Sequence, residues 1–176
     1  MRSIEQNLSQ RINQPAGKED GKNILVLGIG NYLMGDEGIG VHFIHELVNK
    51  KLSFDKADIL DGGVGGFMLM NYFDSYDHVI FIDATMDGKA DGTISLIKPK
   101  FASDFPKALS AHDFGLKDMI ESLYLLGRVP ELYLFTISIP EIKPMTMELS
   151  AEVEASIPEL IKKVRTLISQ INESTE

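Results

Sequence analysis

The chain has 176 residues, 44% of them hydrophobic and 24% charged, which is the length and usage of one ordinary globular domain. It carries 17 lysines and arginines against 26 aspartates and glutamates, a net charge of −9, which argues against a dedicated nucleic-acid binder or a dock for anionic lipid. Zero cysteines exclude an internal disulfide, a cysteine zinc site, an iron–sulfur cluster and a thiol nucleophile.

No apolar run approaches the ~18 residues of a membrane span, and residues 1–22 lack the apolar core of a secretory signal. A cytoplasmic protein is expected. Residues 1–22 are polar and interrupted by Pro15-Ala16-Gly17, so they read as a loosely ordered extension with a short helical turn around Ile4–Ile12. A single α/β domain is expected over residues 23–172, with a tail at 173–176.

From Asn23 the pattern changes. Asn23–Gly28 is an apolar run ending in glycine, as in a strand buried on both faces. Val41, Ile44, Leu47, Val48 and Leu52 follow at helical spacing. Ala57–Asp61 is a short strand and Phe67–Phe73 a short helix. His78–Ala84 is a third buried strand, and Gly92–Lys98 alternates like a peripheral one. A helix is expected over Phe114–Leu126, and Glu131–Ile139 is a last strand stopped by Pro140. Ile157, Leu160, Ile161, Val164, Leu167, Ile168 and Ile171 form one apolar stripe on a C-terminal helix. Strands alternating with helices predict a twisted five-stranded, mostly parallel sheet with helices on both faces and one antiparallel member at most.

Gly28-Ile29-Gly30 between a strand and a helix suggests dinucleotide binding, but Leu33 stands where the fingerprint needs its third glycine. A Walker loop needs a lysine, and none lies between Asn23 and Lys50. Asp36 and Glu37 instead occupy the helix start, whose field of about +0.5 charge favours carboxylates. A plain capping role, with Asp36 as cap, and a chemical role both suit them. Asp83 ends the third strand, where α/β sheets bind ligands; a turn-starting aspartate is the plainer reading. His112, before a helix, is within reach of the same edge, or is a solvated loop histidine. Together, Glu37, Asp83 and His112 are a ligand set for a divalent first-row metal with positions left open; any thiolates would come from a partner. His42, His45 and Glu46 are in the order H-x-x-H-E, which is neither zincin motif. With Asn49 they read as a solvated helix face, and His78, at the far end of its strand from Asp83, as structural.

In order, the blocks Ile24–Leu47, Ile59–Gly66, His78–Ala84, Ser110–Asp118 and Ile139–Glu141 resemble the hydrogenase maturation endopeptidases, which trim the large subunit of nickel–iron hydrogenases. The resemblance covers about Asn23 to Glu141. It implies a three-layer, phosphorylase/hydrolase-like α/β fold and an aspartic-type endopeptidase. It implies metal contact and catalysis through Glu37, Asp83 and His112, with Asp61 and Asp36 as further catalytic candidates. It also implies a specificity loop at Asp61, Gly62, Gly63 and Val64, where Val64 replaces the usual threonine. Ser138-Ile139-Pro140-Glu141 departs from the usual G-I-x-P-E. The implied metal is nickel brought by the substrate, with cadmium or zinc as stand-ins in crystals. The implied partner is the hydrogenase large-subunit precursor, met by a monomer without nucleic acid or membrane. A non-catalytic nickel-checkpoint binder and a nucleotide-binding protein are the alternatives.

Overall fold

A computed structural model describes residues 21–99, 120–125, 127 and 129–175. The expected turn at Ile4–Ile12 and His112 lie outside the described residues. The strands are β1 (Ile24–Ile29), β2 (Ala57–Gly63), β3 (His78–Thr85), β4 (Ile94–Ile97) and β5 (Glu131–Ser138). They form one sheet in the order β2-β1-β3-β5-β4. All neighbours are parallel except β4, which runs antiparallel to β5 at the edge. The helices are α1 (Ile39–Asn49), α2 (Met70–Phe73) and α3 (Ala151–Thr175). Residues 120–125 are also helical, the described part of the helix expected there.

Two cores explain the uninterrupted apolar strands. In β1, Ile24 and Val26 face α1 and α3, while Leu25, Leu27 and Ile29 face the opposite layer with Phe73, Ile120 and Leu123. A strand covered on both sides needs apolar residues at every position. The stripe from Ile157 to Ile171 packs against the first core. α3 begins before that stripe, at Ala151, and continues past Asn172 to Thr175, so most of the expected tail is helix. Lys22, assigned to the extension, instead forms an ion pair with Asp58, a buried carboxylate that also accepts the Tyr76 hydroxyl at 2.8 Å.

The sheet order places β1 between β2 and β3, so the chain leaves β1 to one side first and returns to the other. That reversal is the switch point at which open α/β sheets form a crevice beyond the strand ends. Glycine brings α1 onto this point. A Cβ on Gly28 would lie 2.1 Å from the Gly40 carbonyl oxygen, and one on Gly40 would lie 2.3 Å from the carbonyl oxygens of both Ile29 and Ile82. The first turn of α1 therefore rests on the ends of β1 and β3 together.

Candidate active site

The loop after β1 folds into a 3-10 turn, Gly35–Gly38, whose four residues are all buried. Gly30 makes this possible: it has φ +135°, and its missing Cβ would sit 2.1 Å from the Glu37 carbonyl oxygen. The glycines that suggested a phosphate loop are thus used for close backbone packing. Glu37 is 0% exposed, and its Oε2 accepts the Asn31 N–H at 2.5 Å.

Asp83 is 1% exposed. Gly28 pairs with Ile82 across the sheet, which puts Asp83 level with the end of β1. Its Oδ1 accepts the Ala84 N–H at 2.8 Å. The Glu37 turn packs on β3, and Gly40, three residues further along, touches the Ile82 carbonyl. Both acids therefore lie at the β1–β3 switch point. A carboxylate taken out of water needs charge-assisted partners or a cation, and each of these takes at least one backbone N–H. Among the described residues no group of three His, Cys, Asp or Glu is arranged to hold a metal; the expected third ligand, His112, lies outside them.

Asp36 differs from expectation in its partner. α1 is capped by Gly38 without a side-chain hydrogen bond, because the 3-10 turn separates Asp36 from that helix. The Asp36 carboxylate, 3% exposed, reaches across the molecule and its Oδ1 accepts the Ser150 N–H at 2.6 Å. It thereby fastens the start of α3. Asp36→Ala is expected to cost about 1–3 kcal/mol, the value of a hydrogen bond to a charged group plus the orphaned N–H. Asp36→Asn should recover most of that, since its amide oxygen still accepts; thermal denaturation of both variants is the check.

Asp61 ends the regular pairing of β2. Gly28 pairs with Asp61 but Ile29 pairs with Gly63, so the strand bulges at Gly62. Asp61 Oδ1 accepts the Gly63 N–H at 3.0 Å, supporting the left-handed φ of +47° at Gly63. Val64 beyond it is 54% exposed. Asp61 Oδ2 lies 2.9 Å from His45 Nε2.

That contact corrects the reading of the α1 face. His42 and His45 are only partly exposed. Tyr32 stacks on His42 at 4.5 Å between ring centroids and tilts against His45 at 5.3 Å. The two histidines, Tyr32, Met147 and Glu154 line a cleft of about 670 Å³. Burial, then the neighbouring His45, hold the His42 imidazole below the usual histidine range, against the opposing pull of Glu154 and Asp36. Helical spacing places these residues opposite the core, and there the loop residue Tyr32 and the segment before α3 partly cover them. Glu46 behaves as expected of a surface residue, pairing with Lys50 at 2.6 Å. His78, as expected, is structural: it faces Glu131 in the register of β3 and β5, with Nδ1 3.2 Å from a carboxylate oxygen.

Residues 41–167 match the model of a family described as hydrogenase maturation protease. The chain is 34% identical to the hydrogenase 2 maturation protease of Escherichia coli K12 over 143 residues, covering 80% of this chain and 87% of that protein. It is 38% identical to the hydrogenase expression/formation protein HupD of Bradyrhizobium diazoefficiens over 121 residues, 66% of this chain and 62% of that longer protein. The solved structure of the hydrogenase maturating endopeptidase HybD from Escherichia coli superposes with a TM-score of 0.74 at 33% identity, over 84% of this chain and 93% of that one. A family model spanning most of the chain, on a sheet with two acids at its switch point, makes this chain a member of the hydrogenase maturation protease family.

Proposed function

We propose that the chain is an endopeptidase that removes the C-terminal extension of a nickel–iron hydrogenase large subunit after nickel insertion, reading the substrate's own nickel as the sign that loading is complete. Family membership supports the substrate class. The observation that carries the rest is the pair of buried carboxylates, Glu37 and Asp83, brought from separate segments to one rim of the sheet. A chain without cysteine offers nickel no thiolate of its own. Thiolates of the precursor would hold the ion, and Glu37, Asp83 and His112 would take its remaining positions, presenting the adjacent peptide for cleavage. Asp61 at the same rim is the candidate for orienting the bound segment or the attacking water. On this reading the chain acts as a monomer in the cytoplasm.

Incubating the chain with nickel-loaded and nickel-free precursor, followed by intact mass, tests this. Loss of the extension from the loaded form alone is the expected result. Equal cleavage of both forms would remove nickel as the recognition element. Nickel-dependent binding without mass loss would make the chain a checkpoint binder.

A further inference from the structure

We infer that His45 is a positioning residue that fixes Asp61 and, through it, the turn holding Glu37; the inference rests on the peptidase reading above. The carboxylate of Asp61 only accepts hydrogen bonds, so His45 Nε2–H donates to its Oδ2 at 2.9 Å. The other oxygen of Asp61 takes the Gly63 N–H at 3.0 Å. The Gly63 carbonyl accepts the Gly30 N–H at 3.0 Å. The next residue, Asn31, donates its N–H to Glu37 Oε2 at 2.5 Å. A helix, the end of β2, the end of β1 and the buried turn are thus joined by successive directional bonds.

The placement of His45 is itself constrained. Tyr32, from the loop that carries Asn31, packs against its ring and against His42. A side chain oriented by packing can orient its hydrogen-bond partner in turn. The side chains of His45 and Asp61 are 42% and 25% exposed, so as an ion pair they contribute little to stability. What the contact supplies is direction: with one oxygen of Asp61 held by His45, the other meets the N–H of the positive-φ Gly63.

The test compares His45→Ala, His45→Gln, Asp61→Ala and the double variant His45→Ala/Asp61→Ala. His45→Ala is expected to lower kcat/KM on nickel-loaded precursor about 10-fold or more, the usual cost of losing a group that orients a site residue. Its Tm should stay within about 4 °C of wild type, the shift for about one surface interaction in a chain of this size. His45→Gln, which returns an N–H near the same place, should restore most of the rate. The double variant should be no slower than Asp61→Ala, since both changes break one chain. Amide exchange at Gly63 and Asn31 reads the positioning independently of cleavage, and should quicken in His45→Ala and slow again in His45→Gln. Wild-type cleavage and exchange in His45→Ala, or losses that multiply in the double variant, would overturn the inference. If the wild-type chain cuts no precursor while exchange responds as expected, the peptidase reading falls and the positioning of Asp61 by His45 stands.

Discussion

Glu37→Gln is expected to reduce release of the C-terminal extension by roughly 100-fold or more, at the upper end of or beyond what changes around a metal usually cost. Glutamine has the same length, and its amide oxygen can still accept the Asn31 N–H that now meets Oε2. The turn should therefore keep its shape. What is lost is the negative charge. In a position 0% exposed to solvent, water cannot replace that charge, so an incoming cation meets a weaker field from this side of the crevice. The Asn31 N–H keeps an acceptor in the glutamine, so the melting temperature should change little. A time course of precursor mass, with a thermal melt of the same sample, separates the two effects. Cleavage at the wild-type rate would remove Glu37 from the reaction.

Gly40→Ala is expected to have the largest effect on the fold, a loss of about 3 kcal/mol set by overpacking against parts that cannot move. Two contributions oppose each other. Alanine is the better helix former by about 1 kcal/mol, and Gly40 lies within α1. Its new methyl, however, would stand 2.3 Å from the carbonyl oxygens of Ile29 and Ile82. Both belong to central strands, so relief requires moving the helix off the sheet. The clash wins. Thermal denaturation should show Tm lower by about 6–12 °C, given the 2–4 °C per kcal/mol of a chain this size. Activity should fall as well, because the same shift would lift the Glu37 turn from the end of β3. A variant as stable as wild type would show that α1 is not held at this contact.

The strands were legible because burial on both faces writes itself as unbroken apolar runs, as in Ile24–Ile29 and His78–Thr85. Asp83 was legible as a carboxylate in such a run, although β3 does not end there and continues through buried Ala84 to Thr85. Glu37 was legible from the helix that follows it. The partner of Asp36 was not: a side chain meeting a backbone N–H on a distant helix leaves no periodicity in either segment. Nor was the start of α3. Pro158 suits the first turn of a helix, yet α3 begins at Ala151 and carries Pro158 inside it, with Asp36 fastening the residue before its first turn. The contacts of His45 were not legible because a helical wheel knows the faces of one helix, whereas its partners, Tyr32 and Asp61, come from elsewhere in the chain. Spacing records local geometry well and tertiary coverage hardly at all.

The bond from Asp36 to Ser150 spans 114 positions of sequence, and it has a consequence for biosynthesis. Translation proceeds at about 5–20 residues per second, and the turn bearing Asp36 and Glu37 emerges from the ribosome long before its clasp on the final helix is made. During that interval the nascent polypeptide holds its acids on an unlatched loop. The latch between this turn and the start of α3 is therefore made among the last events of the chain's own synthesis.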